Sequence, residues 1–207
     1  MIESGAAWTT SAYAVVDVEG NGQRPPELVE ISIVPIEGGM IGPPKSWLVR
    51  PPRPITAMAR RFHRISDEDV SGAPRIAEIA SDLHAALDGA VFVAHNAGVD
   101  LGVLTRELAG FQPVEVVDTL KLARRLLPGR ESYKLGALAA SLDLADGLSP
   151  DLAPHRATYD AMVCARLLER LATPGDGKTL NLLELLDISA SKAAVLPAAD
   201  ESAATLF

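Results

Sequence analysis

The chain has 207 residues, 48% of them hydrophobic, enough to bury the core of a single sizeable domain. No apolar stretch reaches the length of a membrane span, Met1-Ile2-Glu3-Ser4-Gly5 lacks the basic-then-apolar pattern of a signal peptide, and the lone Cys164 excludes an internal disulfide, so a cytoplasmic protein without a membrane partner is expected. The formal net charge of −8 argues against tight binding to long polyanions, which many Lys and Arg contacts usually supply.

In chain order, residues 12–18, 28–36 and 40–50 read as strands joined by short turns such as Glu37-Gly38-Gly39, an antiparallel meander that Pro51-Pro52-Arg53-Pro54 stops. Ser66-Asp67-Glu68-Asp69 resembles a capped helical turn, and residues 73–87 carry Ile76, Ile79, Ala80, Leu83 and Leu87 at helical spacing before Asp88-Gly89 ends them. A strand at 91–95, a helix to 108, a strand at 114–117 and helices at 119–127 and 133–142 follow. A long helix at 158–171 closes the series, and the order predicts an α/β fold with a mixed sheet and helices on both faces. Residues 1–172 are assigned to one domain, and residues 173–207 to a linker, a short amphipathic helix at 180–186 and an Ala-rich tail.

Three places in this order carry chemistry. The apolar run Tyr13-Ala14-Val15-Val16 ends in Asp17-Val18-Glu19, and side chains two apart on a strand share a face. Two neighbouring carboxylates repel unless a cation lies between them, and oxygen-only ligands favour Mg²⁺ or Mn²⁺. Taken alone, the pair also fits a strand that leaves through an acidic turn. The strand Val91-Phe92-Val93-Ala94 passes through His95-Asn96 into a helix whose first turn holds Asp100, either a dipole partner or a ligand at a strand's carboxyl end. His155 stands five residues before Asp160, where the last long helix begins, a setting in which a lone histidine is usually structural.

Together the three segments resemble the exonuclease motifs of the DnaQ-like, DEDDh-type 3′→5′ exonucleases. That group includes the proofreading subunit of bacterial replicative DNA polymerase, oligoribonuclease and ribonuclease T. The match rests on Asp-x-Glu, then His-Asn-x(3)-Asp, then His-x(4)-Asp, and runs from about residue 13 to about residue 171, with Val117-Asp118-Thr119-Leu120 and Ser132-Tyr133-Lys134-Leu135 resembling the connecting elements. The resemblance implies a ribonuclease H-like fold, metal ligation by Asp17, Glu19, Asp100 and Asp160, and general-base duty for His155. Two Mg²⁺ or Mn²⁺ ions would be held about 3.5–4 Å apart, with nucleoside 5′-monophosphate as product. In one departure, Gly20-Asn21-Gly22 replaces the family's Thr-rich turn, which predicts fewer hydroxyls and a freer backbone where the terminal nucleotide sits.

The expected substrate is a single-stranded DNA 3′ end in a proofreading-like or repair role. The alternatives are an exoribonuclease on short oligoribonucleotides, whose branch shows Met where this chain has Gly20, and a non-catalytic polymerase accessory subunit, against which the five intact site residues argue. Arg60, Arg61 and Arg64, and Lys121, Arg124, Arg125, Arg130 and Lys134, form local basic clusters, so weak and salt-sensitive binding of short single strands is expected. The terminal Leu206-Phe207 faintly resembles sliding-clamp docking peptides, with Ala203 in place of their glutamine, so the clamp joins a DNA polymerase among the partners considered.

Overall fold

The strand β1 (Tyr13–Gly20) divides two apolar layers: Tyr13 and Val15 enter one cluster, and Ala14, Val16 and Val18 enter another on the opposite face. The face that starts apolar at Tyr13 and Val15 therefore ends in Asp17 and Glu19. Antiparallel to it runs β2 (Leu28–Glu37), in a register that sets Ser32 opposite Asp17 and Glu30 opposite Glu19. Val34 and Ile36 join the cluster of Tyr13, so Ser32 and Glu30 project to the same side as the two acids.

The expected third strand is broken in two, β3 (Met40–Ile41) and β4 (Lys45–Leu48), both paired with β2. Pro43-Pro44 lies at the break, where missing backbone donors cannot continue a ladder. A helix that periodicity does not predict follows, α1 (Ala57–His63), with the Thr56 hydroxyl accepting from Ala59 N–H and Arg64 ending it in the left-handed region. At seven residues it is too short to display an amphipathic stripe. Next, α2 (Ile76–Leu87) begins after Pro74.

Strand β5 (Val91–Ala94) pairs parallel with β1 and leads into α3 (Gly98–Glu107). Strand β6 (Val116–Asp118) pairs parallel with β5 and passes at once into α4 (Thr119–Leu126), which Asp118 caps by accepting from Leu120 and Lys121 N–H. Helices α5 (Leu135–Ser141), α6 (Ala157–Ala172) and α7 (Leu182–Ala190) follow among the described residues. The sheet order is β3-β2-β1-β5-β6, antiparallel on one side of β1 and parallel on the other. Helices α4 to α7 cover the Tyr13 face, and α2 and α3 cover the other. This is the mixed sheet with helices on both faces that the element order predicts, and it fits the ribonuclease H-like fold that the resemblance implies.

The computed structural model describes residues 7–174 and 178–190. The clamp-like residues 203–207 lie outside them. The short helix assigned beyond residue 172 is seated in the core: Leu180, Leu182 and Leu185 are buried in the same cluster as Tyr13 and α6, and Trp8 N–H donates to Leu180 O. Among the described residues, no helix is long and apolar enough to cross a membrane.

Candidate active site

The sheet's polar end faces the start of α6. Asp17, Glu19 and Asp160 each bring a carboxylate oxygen into a group whose members lie within 4.8 Å of one another, Asp160 arriving from the first turn of α6. Asp100 reaches the same place from the first turn of α3, but through the backbone: Val18 N–H, the amide between the two β1 acids, donates to its Oδ1 at 3.1 Å. These four carboxylates thus converge from three elements, with three in one knot and the fourth beside it.

Asp100 is set by the turn that precedes it. His95 hydrogen-bonds the Thr119 hydroxyl through Nδ1 at 2.9 Å and the Tyr133 carbonyl through Nε2 at 2.8 Å. Asn96, left-handed at φ 69°, donates its N–H to Asp118 Oδ1 at 3.1 Å. These bonds turn the chain sharply from β5 into α3. The second motif's His-Asn therefore shapes the loop that delivers Asp100.

The electrostatics test whether a cation fits. Asp17 is held well above its ordinary range by burial first, then by Asp160, Glu19, Asp100 and Glu30. Burial and the neighbouring acids push Glu19 up to about 9, and burial above all pushes Asp100 up to about 8 and Asp160 up to about 7. Carboxylates brought together this closely either keep protons or share a positive ion. All the donor atoms are oxygen, which suits Mg²⁺ or Mn²⁺ and not a thiophilic metal. Asp17, Glu19 and Asp160, with Asp100 adjacent, fit such an ion.

His155 lies at the rim, exposed, with its backbone in the left-handed region at φ 63°. Its N–H donates to Asp160 Oδ2 at 3.1 Å, and its ring meets Phe62 edge-on with centroids 5.8 Å apart. It joins the acids through this backbone bond, while its imidazole stays available at the surface.

Several residues of the site lay beyond sequence reasoning. Glu30, only 4% exposed, accepts from Arg156 Nε at 3.0 Å and Nη2 at 2.6 Å, and from Ala157 N–H at 2.9 Å. Ser46 Oγ bridges Ser32 Oγ at 2.9 Å and Thr158 Oγ1 at 2.7 Å. These two clasps fasten the first turn of α6 to β2 on the face of Asp17 and Glu19. His63, the last residue of α1, is fully buried, its Nδ1 accepting from Ile65 N–H while Nε2 has no hydrogen-bond partner among the described residues. Burial lowers its pKa.

The freer backbone expected after Glu19 is not what the fold shows. Asn21 is fully buried; its Nδ2 donates to Glu27 Oε2 at 2.9 Å and to the Arg53 carbonyl at 3.3 Å, and its Oδ1 accepts from Gln23 and Glu27 N–H. An amide side chain does the tethering that the loop's glycines do not.

A family model of exonucleases, the RNase T type, matches residues 14–168. The chain is 36% identical over 170 residues to 3'-5' exonuclease DinG of Bacillus subtilis, covering 77% of this chain but only 18% of that protein. It spans 11% of a PolC-type DNA polymerase III from Oceanobacillus iheyensis at 33% identity over 77% of this chain. To exodeoxyribonuclease 10 of Escherichia coli K12 it is 38% identical over 154 residues, 74% of this chain and 66% of the relative. DNA polymerase III subunit epsilon of Treponema pallidum is 36% identical over 164 residues, 75% and 74% of the two chains. Among solved structures, exonuclease X in complex with 5' overhanging duplex DNA superposes with a TM-score of 0.70 at 33% identity, covering 86% of this chain and 99% of that one. A 3'-exonuclease that recognises a histone mRNA stem-loop shares the fold alone, with a TM-score of 0.66 at 13% identity over 83% of this chain and 85% of that one.

Proposed function

This chain belongs to the DnaQ-like 3′→5′ exonuclease family, and we propose that it is a divalent-metal-dependent 3′→5′ exonuclease that releases nucleoside 5′-monophosphates from single-stranded DNA ends. The convergence of Asp17, Glu19 and Asp160, with Asp100 held beside them by Val18 N–H, is the observation that carries this reading. Two Mg²⁺ or Mn²⁺ ions bound there would supply Lewis acidity to the terminal phosphodiester. The four carboxylates hold the charge that makes such binding favourable, with Glu19 and Asp100 buried and Asp17 and Asp160 partly exposed.

His155, on the exposed rim, takes a proton from the attacking water onto a free imidazole nitrogen. The water oxygen bonds to the terminal phosphorus as the bond from phosphorus to the 3′ oxygen breaks. The phosphate leaves on the released nucleoside, and the 3′ oxygen stays on the shortened strand and is protonated there. The DNA preference rests on relatives named for DNA work, exodeoxyribonuclease 10 and exonuclease X bound to DNA. A polymerase partner, by analogy with the epsilon subunit, and a cytoplasmic site of action belong to the same proposal.

The test is degradation of matched 5′-labelled single-stranded DNA and RNA oligomers with Mn²⁺ or Mg²⁺, beside Asp17→Ala. A one-nucleotide ladder from the 3′ end, faster on DNA and absent from the variant, is expected. A faster RNA ladder would reassign the substrate, and no ladder on either would leave an accessory-subunit role.

A further inference from the structure

His155 is not glycine, yet it occupies the left-handed region at φ 63° immediately before α6. A side chain with a Cβ is strained there and stays only when its surroundings over-determine the backbone. Two anchors flank this residue. On its own amide is Asp160 Oδ2, and on the next residue is Glu30, which takes the Arg156 guanidinium through both Nε and Nη2 and the Ala157 N–H as well.

Glu30 is the unexpected member. It stands on β2 opposite Glu19, 4% exposed, on the face that already carries the metal-binding acids. A further buried carboxylate beside that group is unfavourable unless compensated, and Arg156 compensates it in a planar, two-point contact. That geometry specifies direction as well as charge, which a single-point ammonium would not do. Helix docking has its own fastening in the Ser32-Ser46-Thr158 hydroxyls and the apolar face of α6, so the guanidinium is not needed for that purpose alone.

We propose that Glu30 and Arg156 are a positioning pair: by clamping the residue after His155 to β2, they hold the imidazole in register with the carboxylates that β1 carries on the same face. The pair acts through His155, so the inference rests on the general-base reading of that residue.

A double-mutant cycle on the full chain tests it, comparing wild type, Arg156→Lys, His155→Ala and the double variant for kcat and KM on a 5′-labelled DNA oligomer, with Mn²⁺ affinity measured by calorimetry. Arg156→Lys is expected to lower kcat about tenfold or more, to change KM and Mn²⁺ affinity less than about twofold, and to cost nothing further once His155 is alanine. Equal losses in both backgrounds, a loss of Mn²⁺ affinity in step with kcat, or no loss at all would overturn the pair's role while leaving the base intact. If His155→Ala costs less than about tenfold, the base reading falls and takes the pair's role with it. Should Arg156→Lys fail to fold, Glu30→Gln, which keeps an acceptor for Ala157 N–H, provides the same comparison.

Discussion

Asp17 is costly to the metal-free fold and central to the proposed metal site. Burial and four neighbouring acids raise its pKa, so Asp17→Ala should abolish the oligomer ladder while leaving the melting temperature in EDTA unchanged or higher. The variant should also lose most of the thermal shift that Mn²⁺ produces in the wild type, because that shift measures binding to the folded state. The same acids set a pH dependence. With Asp160 near about 7, Asp100 about 8 and Glu19 about 9, the metal-free folded protein keeps protons that the unfolded chain has already released. Stability then falls as pH rises from about 4 to about 9. Melting in EDTA should occur at a lower temperature at about pH 8.5 than at about pH 5.5, and saturating Mg²⁺ or Mn²⁺ should remove most of the difference. A melting temperature that climbs with pH in EDTA would contradict the raised carboxylates.

Among the elements, α7 is the one whose role the tertiary structure changes most. Its Leu182 and Leu185 are buried with Leu180 in the core beneath α6, and Asp118 N–H donates to Ser189 Oγ at 3.1 Å. Asp118 in turn caps α4 and receives Asn96 N–H, so α7 supports the turn that delivers Asp100. Leu185→Ala should destabilise the protein by about 2–5 kcal/mol in urea titration, the range for emptying a buried leucine site. A chain cut after residue 172 should lose its cooperative unfolding transition. If it melts like the full chain, α7 is dispensable. Helix α1 has a different part, for its Phe62 meets the His155 ring and its Arg60 and Arg61 are exposed nearby in sequence. It forms one wall beside His155.

At the scale of the whole molecule, a net charge of −8 sits on a protein proposed to bind a polyanion. Part of that charge is the acidic cluster itself, which bound cations would neutralise. Some of the basic residues form local clusters and not a continuous surface, Arg60, Arg61 and Arg64 at α1 and Lys121, Arg124 and Arg125 on α4. Few phosphates are therefore contacted at once. The logarithm of the affinity for single-stranded DNA, measured with Ca²⁺ in place of Mg²⁺, should fall against the logarithm of salt concentration with a slope shallower than about −3. A steeper slope would reveal a larger binding surface than these clusters provide.

Most of the strand-and-helix order, apart from the break at Pro43-Pro44 and the short α1, was legible because it is written in local spacing, as were the shared face of Asp17 and Glu19 and the placing of Asp100 and Asp160 at helix starts. Period two sets a strand's faces, and apolar spacing marks a helix. What local spacing does not encode is contact between distant segments. Glu30 and Arg156 meet across 126 residues, Asp100 finds the Val18 amide across 82, and Asn21 tethers its own loop through Arg53 across 32. None of these bonds leaves a periodic trace. The left-handed backbone of His155 is likewise the product of anchors on β2 and α6. The sequence by itself determined which groups could do the chemistry. Only the packing of α6 and α7 against the sheet decided how closely the acids meet and which buried partners hold them.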